Sequence, residues 1–261
     1  MLDVWAAVSG QTVGEAWLRR DEPKSPATVA KFETAMSQIS RGVPFAYAVG
    51  RVGFRTLDLA IDRRALIPRP ETEGLVELVL REGGRGKGEA WGIAADIGTG
   101  SGCIALSLAV EGSFERVIAV ERSPAAAALA RENVAAIQPL VPVEILEGNL
   151  LEPLGECPER YRVIVANPPY LTATEYAALD PSVRDFEPGD ALMSGADGLE
   201  ATEKLLAGAA ALLEAGGLLA LEIDERRATE VQTLGARYGW TTVELHDDLF
   251  GRPRYALAVR A

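Results

Sequence analysis

Histidine, cysteine and lysine are scarce in this chain of 261 residues, and the first two scarcities each remove a class of function. The one histidine, His246, excludes a histidine-rich metal centre. It leaves a Ser-His-Asp relay only if His246 itself takes part, so it reads as a structural or surface residue. The two cysteines, Cys103 and Cys157, lie far apart with no paired spacing, which argues against a zinc site or a disulfide framework and predicts plain buried thiols. Lys24, Lys31, Lys87 and Lys204 are the only lysines among 26 basic residues, a bias toward arginine that carries no functional inference. Long apolar runs are missing too: charges interrupt each one before the ~18–20 residues that a membrane-spanning helix requires. The N-terminus, with Asp3 in place of a basic region followed by a short apolar stretch, does not read as a secretory leader, and the expected compartment is the cytoplasm. Positive charge is outnumbered, with 38 acidic residues against 26 basic ones and a net charge of −12. That balance disfavours a protein whose main task is to grip a phosphate backbone. It points to a protein or small-molecule substrate and no direct nucleic-acid partner; a monomer is the expected state.

What is present is an alternating pattern. Residues 1–50 carry apolar positions at helical spacing, among them Val29, Phe32, Met36 and Ile39, and predict a small helical domain. From Gly50 to Asp62 the pattern becomes alternate (Val52, Phe54, Leu57, Leu59, Ile61), which predicts a β-hairpin linker over 51–67. The boundary falls at Pro68 to Pro70, and 68–261 forms the main domain. There, strand-like runs at Ile93 to Asp96, Val117 to Glu121, Val143 to Glu147, Tyr161 to Asn167 and Gly217 to Glu222 alternate with helical ones. Two closing strands, Thr242 to Leu245 and Tyr255 to Val259, have no helix between them and are free to pair antiparallel. The alternation predicts an α/β fold with a mostly parallel sheet and helices on both faces. Gly83 to Gly88 reads as a flexible loop.

The first strand of the main domain runs into Asp96-Ile97-Gly98-Thr99-Gly100-Ser101-Gly102, and a helical stretch from Cys103 follows. Glycines there allow positive φ and let backbone amides and a helix N-terminus approach a cofactor. The spacing is not that of a dinucleotide fingerprint, because Cys103 stands where its third glycine or alanine would fall. Asp96 would repel a pyrophosphate but suits an aminoacyl ammonium, directly or through water. S-adenosylmethionine carries that ammonium and no phosphate. Glu121 closes the second strand and is placed to accept hydrogen bonds from ribose hydroxyls. Asn149, in Glu147-Gly148-Asn149, reads either as an adenine contact or as a plain turn residue.

Asn167-Pro168-Pro169-Tyr170 directly follows the strand Val163-Ile164-Val165-Ala166. Two prolines withhold donors and leave rigid carbonyls. An amide or aromatic amino nitrogen is a poor nucleophile, so its N–H bonds must be held while its lone pair is aimed at a methyl donor. The Asn167 side-chain oxygen and the Pro168 carbonyl are the candidate acceptors, and Tyr170 is placed to pack on the planar group.

The glycine loop followed by Asn-Pro-Pro-Tyr is similar to the amino-group methyltransferases, which include adenine DNA methyltransferases and protein glutamine methyltransferases. Leu66-Ile67-Pro68-Arg69-Pro70-Glu71-Thr72-Glu73 resembles the signature of the release factor glutamine N5-methyltransferases, whereas the related enzyme for a ribosomal protein departs after Pro-Arg. Arg41-Gly42-Val43-Pro44, Asp185-Phe186-Glu187-Pro188 and Gly251-Arg252 extend the likeness from about residue 25 to the end. The resemblance implies a helical N-terminal domain, a hairpin linker and a seven-stranded Rossmann-like methyltransferase domain whose final strand is antiparallel. It also implies S-adenosylmethionine at Asp96, Gly98, Thr99, Gly100, Ser101, Gly102, Glu121, Asn149 and Asn167. The glutamine of a release factor would sit against Asn167, Pro168, Pro169 and Tyr170, with Asn167, Pro168 and Tyr170 at the chemistry and Arg69 to Glu73 nearby. Glu121 and Asn149 stand where that family more often has aspartate, and Asp224 where it usually has glycine. The readings that compete are a ribosomal-protein glutamine methyltransferase, an adenine DNA methyltransferase, and a module that binds the cofactor without turnover.

Overall fold

A computed structural model describes residues 1–83 and 91–261. Four helices open the chain: α1 (Leu2–Ser9), α2 (Val13–Leu18), α3 (Pro26–Ser40) and α4 (Phe45–Val49). Their ends are written in the sequence. Thr12 and Glu15 form a reciprocal capping box on α2, Ser25 caps α3 with Pro26 in its first turn, and Gly50 ends α4 at φ +75°. The spaced apolar residues of α3 are only half-buried, and Ala35 is its one fully buried side chain. The hairpin β1 (Arg51–Phe54) and β2 (Leu57–Ala60) follows in antiparallel register.

Helix α5 (Pro70–Gly83) starts on a proline with Glu71 and Glu73 in its first turn, where carboxylates complement the helix dipole. Periodicity did not single this helix out. Gly83, expected in a loop, is its last residue, and the remainder of that expected loop lies outside the described residues. The order then runs β3 (Ile93–Ile97), α6 (Cys103–Glu111), β4 (Arg116–Glu121), α7 (Pro124–Ile137), β5 (Val143–Glu147), α8 (Glu152–Gly155) and β6 (Tyr161–Ala166). Between β6 and the next long helix, residues 167–199 carry only the short helices α9 (Ala173–Ala177) and α10 (Pro181–Arg184) and one 3₁₀ turn. The chain closes with α11 (Glu200–Leu212), β7 (Leu213–Glu222), α12 (Ala228–Arg237), β8 (Val243–Asp247) and β9 (Pro253–Val259).

Seven strands form one sheet in the order β5-β4-β3-β6-β7-β9-β8. The first five are parallel, and β9 inserts antiparallel between β7 and β8. Alternate residues of β4 face opposite layers: Val117 and Ala119 join a core with α5, α6 and the hairpin, while Ile118 and Val120 join one with α11 and α12. The hairpin is bolted to this body by Asn133 of α7. That amide accepts from Ala60 N (2.8 Å) and donates to the carbonyls of Ala60 (3.0 Å) and Ser101 (2.8 Å).

Strand order reverses between β3 and β6, the place in such sheets where the strand ends leave a crevice. Ile97 pairs with Ala166, and Ala166 pairs with Leu221. Gly98, Asn167 and Glu222 are therefore neighbours along one edge, although far apart in sequence. No helix among the described residues is long and apolar enough to cross a membrane.

Candidate active site

A cavity of about 660 Å³ opens at this edge, within the size range of small-molecule and cofactor sites. One wall is the turn after β3. Gly98 (φ +75°) and Gly100 (φ +56°) adopt left-handed backbone, and a Cβ on Gly98 would meet no atom within 4 Å, so the turn leaves room for a ligand to lie against its backbone. Thr99 and Ser101 line the cavity with them. Gly102 (φ +86°) does not. It caps α6 and packs against Leu106 and Ala130, a structural use of the third glycine.

Asp96, expected to meet an ammonium directly or through water, is fully buried and is not among the residues lining the cavity. Its Oδ2 accepts from Thr99 Oγ1 (2.6 Å) and Ala105 N (3.0 Å), tying the turn to the start of α6, while its buried Oδ1 has no hydrogen-bond partner. Burial pushes its carboxyl up to about 7, against the downward pull of those two hydrogen bonds. The next wall residue, Glu121, is held by two backbone donors, Gly100 N (2.9 Å) on Oε2 and Ser123 N (2.8 Å) on Oε1. Each oxygen keeps a lone pair for a further donor. Asn149 also lines the cavity, and its Nδ2 donates to Glu152 Oε1 (3.1 Å).

The opposite wall begins at Asn167 and Pro169. Pro168 is buried and Tyr170 half-buried, and neither lines the cavity. No backbone N–H among the described residues donates to the Pro168 carbonyl. Burial, and then the nearby Glu222 carboxylate, push the Tyr170 phenol up to about 12, so it carries its proton at neutral pH and is no general base. Cys103 borders the cavity as a buried thiol pushed up to about 12, mainly by desolvation. Cys157, expected to be buried, is only half so. His246 sits on β8 beside Glu244 (3.8 Å) and outside the cavity lining.

Two groups at or behind this wall are not foretold by the sequence reading. Thr72, within the stretch whose contacts the sequence left unassigned, is buried on the first turn of α5 and accepts from Asn167 Nδ2 (3.0 Å). Its hydroxyl donates to Glu222 Oε2 (2.8 Å), a buried carboxylate at the end of β7. Burial raises Glu222 to about 7. A lone acid ending an apolar strand at the ligand-binding edge was the available signal for it. Arg69, also in that stretch, pairs with Glu187 (2.6 Å), whose other oxygen accepts from Ile67 N (3.1 Å). This pair ties the 66–73 segment to the irregular 167–199 connection. Asp224 is buried and bound by Arg226 and Arg227; Arg227 also reaches Glu175 (2.7 Å). It anchors the same irregular connection rather than the cavity.

The sheet order and crevice place the chain among methyltransferase folds. It is similar to a solved methyltransferase from Pyrococcus furiosus (TM-score 0.58, 22% identity, 86% of this chain and 96% of that one). It is also similar to the hMettl16 catalytic domain (TM-score 0.63, 19% identity, 77% and 74%). At these identities the likeness concerns fold alone. Residues 87–180 match the family model described as Methyltransferase small domain. Release factor glutamine methyltransferase of Xylella fastidiosa strain Temecula1 is 41% identical over 92% of this chain and 85% of its own length. Those of Moorella thermoacetica (40%, 93% and 84%) and Deinococcus radiodurans (39%, 94% and 84%) are comparably similar. This chain belongs to the release factor glutamine methyltransferase family.

Proposed function

We propose that the chain methylates the side-chain amide nitrogen (N5) of the glutamine in the Gly-Gly-Gln motif of class 1 peptide chain release factors, using S-adenosylmethionine. The observation that carries this reading is the register that sets Gly98 of the cofactor turn beside Asn167, the amide-holding residue, on one cavity. The names of the similar enzymes supply the substrate.

The residues present fit the cofactor. The glycine backbone at Gly98 and Gly100 leaves space that side chains would fill, Glu121 offers fixed acceptors to ribose hydroxyls, and Asn149 lies within the same cavity. When bound, S-adenosylmethionine supplies a methyl on a sulfonium; the nitrogen–carbon bond forms as the carbon–sulfur bond breaks, its electron pair staying on sulfur. The protein orients the acceptor. Asn167 Oδ1 and the Pro168 carbonyl take the two N–H bonds of the glutamine amide, so that the nitrogen lone pair points at the methyl. After transfer the proton leaves the acidic N-methylated amide for water, and no side chain serves as a base. Helical residues 1–50 dock the release factor, 51–67 link them to the catalytic domain, and the enzyme acts as a cytoplasmic monomer with no nucleic-acid partner.

Mass spectrometry of intact release factor incubated with the enzyme and S-adenosylmethionine tests the reading. One added methyl on the Gly-Gly-Gln glutamine is expected, with much slower reaction of a short loop peptide and none of duplex DNA. Transfer to adenine, or an unmodified release factor under all conditions, overturns the substrate. Calorimetry should show binding of S-adenosylmethionine and S-adenosylhomocysteine and none of NAD.

A further inference from the structure

A side-chain amide is nearly symmetric in shape, yet only one orientation of Asn167 serves the reaction proposed above. Its oxygen accepts an N–H from the substrate, whereas its NH₂ would meet the substrate NH₂ donor to donor. Something must hold the productive face toward the cavity.

We propose that Glu222 and Thr72 are positioning residues forming a relay that fixes the polarity of the Asn167 amide. The argument follows donors and acceptors outward from the buried end. An ionised carboxylate only accepts, so Glu222 Oε2 takes the single hydroxyl hydrogen of Thr72 at 2.8 Å. With that hydrogen committed, Thr72 Oγ1 has only lone pairs to offer at 3.0 Å, and Asn167 must present its NH₂. The Asn167 oxygen is then the atom left for the substrate, and no group among the described residues donates to it. Chained in one direction, each bond strengthens the next.

The relay is seated by close packing. Tyr255 Oη donates to the Glu71 carbonyl (2.7 Å), and a Cβ on Gly74 would lie 2.2 Å from that hydroxyl oxygen, so the first turn of α5 rests directly on β9. Thr72 and Glu222 are each 2% exposed, which keeps water from substituting for either link.

Protonation of Glu222 would reverse the chain. A carboxylic acid can donate to Thr72, freeing the threonine hydrogen for Asn167 Oδ1 and turning the amide to its unproductive face. The groups facing Glu222 from the packed elements are Arg69, Glu71 and Thr72 from the α5 start, Arg254 and Tyr255 from β9, Tyr170 after β6, and Cys103 from α6. Burial dominates this set, and Glu222 titrates at about 7.

The inference rests on Asn167 holding the reacting amide, and the test separates the two claims. Single-turnover rates on intact release factor, at saturating S-adenosylmethionine, are measured for wild type, Asn167→Ala, Thr72→Val, Thr72→Ser and Glu222→Gln across pH. Thr72→Val, isosteric but without the hydroxyl, should lose roughly tenfold or more in rate with little change in KM for release factor, and Thr72→Ser should recover most of that loss. Wild type should lose rate as pH falls through about 7. Glu222→Gln, which accepts through a neutral carbonyl, should show a flat profile there. If Asn167→Ala is slow while Thr72→Val matches wild type, or serine fails to rescue, or Glu222→Gln keeps the acid limb, the relay is overturned and the site reading stands. Wild-type rates for Asn167→Ala would overturn both.

Discussion

Each end of the cavity is built around a buried carboxylate bonded to a threonine hydroxyl, and the two pairs differ mainly in span. At the cofactor end Asp96 and Thr99 are three residues apart, and the second donor to Asp96 is the nearby Ala105 amide. At the acceptor end Thr72 and Glu222 are 150 residues apart, and Asn167 joins them across 95. The local pair shapes one turn, and the long-range pair exists only once α5, β6 and β7 have assembled. A cofactor common to many acceptors needs a self-contained cradle. A poor nucleophile needs its acceptors placed to within fractions of an ångström, and that precision comes from packing several elements together.

Substituting one residue at each end gives the sharpest test of this division. Asn167→Ala should lower single-turnover rate by about 10² or more while leaving S-adenosylhomocysteine affinity within a few-fold. Glu121→Ala should do the reverse, weakening the cofactor by roughly tenfold, about 1.4 kcal/mol, with smaller loss of rate at saturation. Calorimetry and quenched-flow assays on the same preparations distinguish the patterns. Equal losses of rate and affinity in both variants would merge the two ends into one unit.

The division also explains what was legible beforehand. The strand, glycine turn and helix around Asp96 are contiguous, so their local structure could be read from a few residues. The strands β3 to β7 and the antiparallel closing pair were likewise readable, because each is a short apolar run bounded by polar turns. Which way Asp96 faces was not readable, since a carboxylate beside glycines suits a ligand contact and a buried clamp equally. Nor was the relay: nothing at Thr72 or Glu222 taken alone announces that register will bring them to Asn167. The connection 167–199 stayed unread because ion pairs such as Arg227 with Asp224 and Glu175, rather than periodic apolar residues, give it form. Helix α5 is hidden in the sequence for a different reason: its first turn coincides with the 66–73 signature, and its end merges into glycine.

A smaller effect is expected where the hairpin meets the cofactor turn. Asn133, 1% exposed, satisfies the Ala60 amide and the carbonyls of Ala60 and Ser101. Asn133→Ala strands those buried groups and should cost about 2–4 kcal/mol in urea unfolding. Because Ser101 lines the cavity beside the glycine turn and Asn133 makes no hydrogen bond to Asn167, residual activity should show weaker cofactor binding before any loss of rate. The opposite order would mean that the hairpin governs the acceptor end instead.

A further effect belongs to Asp96 itself, read through the pH dependence of stability. Its carboxyl moves from an ordinary 3.8 when exposed to about 7 in the folded protein. Between those values the folded state binds more protons than the unfolded chain, so this group favours folding at the acid end of the interval and loses that advantage as pH rises, levelling off above about 7. Asp96→Asn keeps a carbonyl oxygen for Thr99 and Ala105 but cannot ionise. Relative to wild type, the variant should therefore gain unfolding free energy as pH rises toward about 7 and hold that gain beyond it. Glu222, unaltered in both proteins, contributes a slope of the same sign that cancels in the comparison. Parallel stability curves across this interval would show that Asp96 is already ionised in the fold, and the buried clamp would then be a charged one held by its two donors.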